Sequence, residues 1–464
     1  MDNNARQTTI TTPTDVGEKT SSLFAYWFPE VASQALLVVL PIFLDTWFIA
    51  SLKSAAIYGA LGAATRIIHF IVKFAESIPV ASVALIGRHN GANQYEDCGK
   101  RLSDSLWTTG IIGCSLFAIF FFGAEWVYRF LGVPEHMIPM GLTYLRVQAI
   151  TIPFMFTFYA FMGFFKGVKN TRIPLIINIV AIVLFIASDY ILIYGRWGIP
   201  PLWLTGSAIA TLIRYAVANI VSVIIILSSS EYSAHIKNKL LHAINWDEIV
   251  RLIKLSLPVV VDKGMLALAI VWLGKMIAFG GEATLASSEI VRNIERWSLL
   301  SSFAFAQIVN FLVSNNLGEK KPHAARANMY KILGITLVLT VATTLALAWN
   351  LDSFTSRIDP NHVLDNFIKP TVYLLTLFLV LDVTQIIFAS ALRGAGDVKT
   401  VMWVRSVACL GFFLPASYII QTMPVANPAV KFVTIYTLYY ITTAIMAVAF
   451  YLRIRGTAWL QQKI

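Results

Sequence analysis

Residues 371–392 read TVYLLTLFLVLDVTQIIFASAL, and the only charged side chain among them is Asp382. A helix needs about 20 apolar residues to cross a bilayer core of roughly 30 Å. Inside hydrocarbon the backbone must bond to itself, which leaves helices and closed barrels. A barrel strand alternates apolar and polar over about 10 residues. This stretch does not alternate, so it reads as a transmembrane helix. Eleven similar stretches accompany it: Phe24–Ser51, Thr65–Gly87, Leu106–Phe122, Gly141–Phe165, Ile173–Tyr194, Thr205–Leu227, Ile253–Phe279, Ser288–Val313, Ile332–Leu351, Val401–Ile420 and Phe432–Leu452. The whole chain is 57% hydrophobic and 13% charged, against roughly 25% charge in a soluble domain. The fold class is an all-α, polytopic membrane protein of about twelve spans.

Between the spans the sequence is sparse. Residues 1–22 are polar, without the apolar core of a signal peptide, and are expected to form a disordered cytoplasmic tail. Residues 23–230 are expected to form an N-terminal six-helix bundle and 252–464 a C-terminal one. The charged stretch 231–251 can gather Ile236, Leu240, Leu241, Ile244 and Ile249 on one face. It is expected to be an amphipathic linker along the membrane surface. Cys98, Cys114 and Cys409 show no paired spacing and read as packing residues.

The net charge of +11 invites a nucleic-acid reading, but its distribution argues against one. Lys and Arg recur in every second loop: Arg88, Lys100 and Arg101; Lys166, Lys169 and Arg172; Lys237, Lys239, Arg251 and Lys254. The series continues with Lys320, Lys321, Arg326 and Lys331, then Arg393, Lys399 and Arg405, then Arg453, Arg455 and Lys463. The intervening loops hold only Lys53, Arg129, Arg196, Arg357, Lys369 and Lys431. Cytoplasmic loops are the basic ones. The charge therefore encodes orientation: a plasma (inner) membrane protein with both termini cytoplasmic, the bilayer as its partner and no nucleic acid.

An internal repeat divides the chain. VALIGRHNGANQ ends one span with Gly91, and NFLVSNNLGEKK ends another with Gly318; FFKGVKNTRIP carries Gly167, and ALRGAGDVKT carries Gly394. The separations agree, since 318 − 91 = 227 and 394 − 167 = 227. Six spans separate equivalent points, so the two bundles share one orientation and are pseudo-symmetric about an axis along the membrane normal.

A charge at a helix centre costs about 2.5–3.5 kcal/mol on insertion scales, so each one is a functional candidate. The first span has Asp45, four residues after Pro41, a candidate hinge because proline removes a backbone bond. The fifth has Asp189, and the tenth has Asp382 with Gln385 one turn on. The seventh carries Asp262, Lys263 and Lys275. The second carries Arg66, His69, Lys73 and Glu76 at offsets of 3, 4 and 3, and the eighth Glu289, Arg292, Glu295 and Arg296. Such spacings make stripes on one helix face. The stripes either pair internally (Lys73 with Glu76, Arg292 with Glu295) or line a water-filled cavity. Arg66, Lys73, Glu76, Asp262, Lys275, Glu289, Arg292, Glu295 and Gln385 are the candidate substrate-cavity residues. A carboxylate in low dielectric holds a proton more readily, whereas added hydroxyl and carbonyl oxygens make it a sodium site.

The stretch from YLRVQAITIP to GSAIAT, with its SDYILIYG element, resembles the fourth-to-sixth-helix signature of the multidrug and toxic compound extrusion (MATE) family. DVTQIIFASALRGAGDVKT is similar to the family's tenth helix and following loop. The resemblance implies a secondary antiporter with H+ or Na+ as coupling ion and no cofactor. It implies coupling roles for Asp45, Asp189 and Asp382, with Thr211 beside the first two, and a possible Na+ at Asp45 and Asp189. Phe185, Met162 and Gly163 stand where the family usually has asparagines, which removes oxygen ligands from the N-terminal site. Asp262 sits about one turn earlier than the familiar seventh-helix acid, so no coupling role is carried to it.

The expected function is export of organic solutes or drugs by a monomer. Family substrates are usually organic cations, but the candidate cavity's own cations favour an anion or zwitterion. The nearest rival is a lipid-linked precursor flippase of the same superfamily. An intramembrane enzyme would need a clustered constellation, and the seven histidines are scattered, so no enzyme activity is expected. A passive channel would need a filter-like loop.

Overall fold

The computed structural model describes residues 17–40, 44, 68, 71–130, 135, 138–236, 240–352, 355, 364–424 and 427–462. The membrane helices are α1 (Thr20–Gln34, continued by Ala35–Val39), α2 (Ser77–Gly91), α3 (Tyr95–Phe122), α4 (Ile138–Gly167), α5 (Arg172–Tyr194) and α6 (Trp203–Ser228). The second half gives α7 (Trp246–Ala278), α8 (Glu282–Gly318), α9 (Pro322–Trp349), α10 (Asp365–Gly394), α11 (Val398–Ser406, continued to Thr422) and α12 (Pro428–Arg455). Among the described residues, ten helices, α3 to α12, are long and apolar enough to cross a membrane. α1 and α2 stand where the first two expected spans lie, but much of both expected stretches is outside the described residues.

Several helices begin well before their apolar stretches: α3 at Tyr95 against Leu106, α8 at Glu282 against Ser288, α9 at Pro322 against Ile332. Hydropathy registers only the part in oil, while the helix continues into water where polar first turns stabilise it. Glu96 and Asp97 open α3, where acids complement the helix dipole. Asn245 caps α7 by accepting the Glu248 N–H at 3.4 Å.

Two expectations need correcting here. Residues 17–22 are not tail: α1 starts at Thr20, and the Glu18 N–H donates to Asn328 Oδ1 at 2.6 Å. The stretch 231–251 is not one amphipathic helix either. It holds a short helix, Ser230–Ile236, and the start of α7 at Trp246. Tyr232, His235 and Ile236 are buried, and Asn170 donates to the Tyr232 hydroxyl at 2.9 Å.

Two spans change register. In α1 the stretch Ala35–Val39 is π-helical, and in α11 so is Val407–Phe413. Each lies just before a proline, Pro41 and Pro415. Proline cannot donate to the carbonyl four residues back, and a widened turn is a common accommodation.

The buried side chains form two large cores. One runs from Ile71 to Ile236. The other gathers Ala269 to Trp459 and also takes Leu23 and Val83. The start of α1 therefore leans on the C-terminal bundle: Trp27 Nε1 donates to Ser301 at 3.1 Å, and its ring stacks on Phe305 at 5.8 Å.

At the end that carries the basic loops the described residues of the two bundles come into backbone contact. A Cβ on Gly91 would overlap the carbonyl of Asn315, and one on Gly318 would overlap the carbonyl of Arg88. Both relations are the same contact under the repeat, since 315 − 88 = 227 and 318 − 91 = 227. Gly87 meets Ser314, its own counterpart, so the pseudo-two-fold axis passes between them. Around it, Asn90 donates to Asn315 Oδ1 at 2.7 Å and Asn315 to the Gly167 carbonyl at 2.9 Å. In the adjoining loop Glu319 contacts Lys169 and Lys321 at 3.3 and 3.0 Å. Partial burial raises its carboxyl, but the two lysines outweigh that and hold it below the ordinary value.

Gly318→Val forces this backbone contact apart and is expected to cost about 1–3 kcal/mol, read as a lower melting temperature in detergent. Gly334→Ala, in α9, places its methyl in open space and should leave the melting temperature unchanged or raise it. Equal effects from the two would contradict the contact.

Candidate functional site

Asp262 lies on α7 and is 1% exposed. Oil around a carboxylate is costly unless donors meet it, and here two arginines do. Arg393, at the end of α10, donates to Oδ2 through Nε at 3.1 Å and Nη2 at 2.6 Å. Arg405, on α11, donates to Oδ1 at 2.7 Å. Arg405 also donates to Gln385 Oε1 at 3.0 Å, and Gln385 Nε2 donates to Asp382 Oδ1 at 3.0 Å. Because guanidinium is donor-only, Gln385 must turn its oxygen towards Arg405 and its amide towards Asp382. Three helices thus share one chain of alternating charge, Arg393–Asp262–Arg405–Gln385–Asp382. Nearby, the Tyr440 hydroxyl on α12 donates to Glu295 at 2.7 Å.

The N-terminal half has a second polar system. Lys73 bridges Glu76 at 3.0 Å, where the helix leading into α2 breaks. Lys263, on α7 of the other bundle, donates to the Glu76 carbonyl at 2.8 Å and stands 3.7 Å from its carboxylate. Asp189 is fully buried on α5. One turn before it, Phe185 packs with Ile182 and Ala210 against Leu36, Leu40 and Leu44 of the first span. Thr211 donates to the Ser207 carbonyl of its own helix at 3.1 Å.

Asp382, Gln385 and Asp262 come together, as do Lys73 and Glu76. Asp45, Pro41 and Arg66 lie outside the described residues. Of the two alternatives left open for the eighth span, no Arg292–Glu295 ion pair appears among the described residues; Glu295 takes the Tyr440 hydroxyl, which reaches from α12. Glu289 is exposed and Arg292 half-buried. Lys275 is exposed near the end of α7, 5.2 Å over the Trp272 ring.

Four functional-looking residues escaped the sequence reading, and a fifth was seen without its partner. Glu30, on α1, is fully buried and bridges Lys166 at 2.7 Å. Arg214, on α6, is 6% exposed. Arg393 and Arg405, part of the basic-loop pattern in the sequence, serve Asp262. Lys263 stands out in the sequence, but its partner Glu76 lies 187 residues away on the other bundle. Glu30, Arg214 and Arg405 each lie inside an apolar stretch already identified as a span, so the same insertion penalty would have found them.

A family model described as MatE matches residues 31–191 and again 259–419. The two matches lie 228 residues apart (259 − 31), within one residue of the glycine repeat. The chain is 22% identical over 421 residues to the uncharacterized transporter YisQ of Bacillus subtilis, covering 89% of this chain and 90% of that protein. It is 22% identical to the multidrug resistance protein NorM of Vibrio cholerae, covering 75% and 76%. The fold matches the crystal structure of a Vibrio cholerae MATE transporter, VcmN, with a TM-score of 0.83, 16% identity and coverage of 95% and 98%.

Asp262→Ala leaves two guanidinium groups facing each other without their anion. Removing one partner of a buried pair costs about 3–5 kcal/mol, so the melting temperature should fall by several degrees. Asp262→Ala combined with Arg405→Met should recover part of that loss. A single variant as stable as the parent would contradict the junction.

Proposed function

Because the chain belongs to the MatE family, we propose that it is a secondary active exporter of organic solutes or drugs, driven by protons and working by alternating access. Relatives that bear the name multidrug resistance protein support the export of such solutes. The coupling ion is argued from the surroundings of Asp382. Its carboxylate receives an N–H from Gln385, whose own oxygen is committed to Arg405. Sodium seeks a shell of oxygens, and the neighbours here offer donors instead. A proton needs only the carboxylate.

In this reading Asp45 and Asp189, with Thr211, form the N-terminal coupling site, and Asp382 the C-terminal one. Phe185 in place of an oxygen ligand again favours a proton over sodium. Protonation shifts the first span at Pro41 and releases substrate outward, and return of the proton inward resets the cycle. Ion and substrate must prefer different conformations, since equal affinity for both shifts nothing. The basic loops face the cytoplasm, so both termini are cytoplasmic, and the glycine contact at that end seals the cavity from inside. The α8 face carrying Glu289, Arg292 and Arg296 bears both signs, which fits a zwitterionic solute better than a simple cation.

The test is uptake into reconstituted vesicles with imposed proton or sodium gradients and a panel of cationic, anionic and zwitterionic solutes. A proton gradient should drive transport and a sodium gradient should not. Asp382→Asn and Asp45→Asn should each reduce gradient-driven transport to near background while the protein stays folded. Sodium-driven transport at constant pH, or full activity in both variants, would overturn the assignment.

A further inference from the structure

Each half of the chain closes on a short segment that folds back onto its own bundle. After α6 comes the helix Ser230–Ile236, and after α12 the turn Ala458–Gln461. The two are repeat counterparts: Tyr232 and Trp459 are both buried, and 459 − 232 = 227. The second segment is held firmly. Trp459 Nε1 donates to the Ile454 carbonyl at 3.0 Å. Arg326, on α9, donates to the Ile454 and Gly456 carbonyls at 3.1 and 2.7 Å. These donors meet carbonyls that the end of α12 leaves without a helical partner. Arg453 ties the same helix end to Asp397, in the loop after α10, at 2.7 Å.

The halves differ in what reaches the segment from across the interface. Arg88, in the last turn of α2, belongs to the N-terminal bundle. Its Nη2 donates to the Ala395 carbonyl at 2.8 Å and its Nη1 to the Gln462 carbonyl at 2.7 Å. The counterpart of Arg88 is Asn315, since 315 − 88 = 227. Asn315 reaches the matching loop, donating to Gly167 at 2.9 Å, and gives its other amide hydrogen to Phe311 of its own helix at 2.8 Å. An amide has two such hydrogens, so none is left for His235, the counterpart of Gln462 (462 − 235 = 227). The longer guanidinium fork spans two carbonyls, where the asparagine takes one across the interface.

We infer that Arg88 and the segment after α12 form a one-sided clasp between the bundles, which favours the conformation whose basic-loop ends are together. A contact made in one conformation alone shifts the population towards it by the free energy of that contact. The N-terminal half has the equivalent segment but not the arginine, so the repeat does not supply a second clasp of this kind. That the clasp opens in each cycle rests on the transport reading above; the clasp itself does not.

Distances between spin labels on the full protein in lipid nanodiscs, with no gradient and no substrate, test it. Lys100→Cys on α3 and Ala327→Cys on α9 are exposed repeat counterparts on opposite bundles, labelled in a background where the exposed native Cys114 is Ser. Arg88→Met should raise the ratio of long to short distances about ten-fold, the scale of a lost bond to a charged donor. Arg88→Lys, which keeps one charged donor, should fall between Met and the parent. Trp459→Ala frees the segment from its own bundle and should raise the ratio too. Combined with Arg88→Met it should add little, because coupled residues are not additive. A label pair within the C-terminal bundle, Ala327→Cys with Lys399→Cys, should not change. An unchanged ratio in Arg88→Met would overturn the clasp, and so would full additivity of the two substitutions. A matching change in the within-bundle pair would also overturn it, by making Arg88 a general packing residue. Where Arg88→Met does not fold, Arg88→Lys carries the same comparisons, and an unchanged ratio there overturns the clasp.

Discussion

Taking a carboxylate out of water costs several kcal/mol unless donors meet it in good geometry, and the membrane helices here are packed around that constraint. Asp262 is the clearest case, with two arginines from two other helices closing on its two oxygens. Once those guanidiniums are fixed, Gln385 has one available orientation, and Asp382 inherits its donor from it. Glu30 with Lys166 and Glu295 with Tyr440 repeat the principle on smaller scales. Polar chains of this kind fix which helix faces which, since an apolar seam tolerates rotation and a charged one does not.

The second constraint is closeness. In lipid, helix association relies on small residues that let backbones approach. The glycines of the repeat serve this purpose where the two bundles meet, with Gly91 over Asn315 and Gly318 over Arg88. A repeat in sequence becomes an axis in space because the equivalent residues touch each other. Among the described residues this close contact lies at the end of the basic loops, and the polar systems lie farther along the helices.

Much of this was legible in the residues. Span number and the existence of two halves follow from hydropathy and from two glycine pairs at one spacing. That Asp382, Asp262 and Glu76 need polar partners follows from the cost of charge in oil. The misses have one source. Arg405 and Arg393 fall in the basic-loop pattern, and Arg214 and Glu30 sit singly inside long apolar stretches. Loop charge and buried charge look alike in one dimension, and only a neighbouring helix separates them.

Composition and apolar length by themselves determined that this chain is a bundle of membrane helices, because a backbone in hydrocarbon has so few ways to satisfy itself. They also determined that the bundle is double, because a repeat spacing survives in sequence. Tertiary structure alone decided the pairing: Asp262 with Arg393 and Arg405, Lys263 across the bundles to Glu76, Arg214 to Leu37. Those partners are as much as 187 residues apart, and nothing local in the sequence expresses a bond that exists only once two helices have been laid side by side.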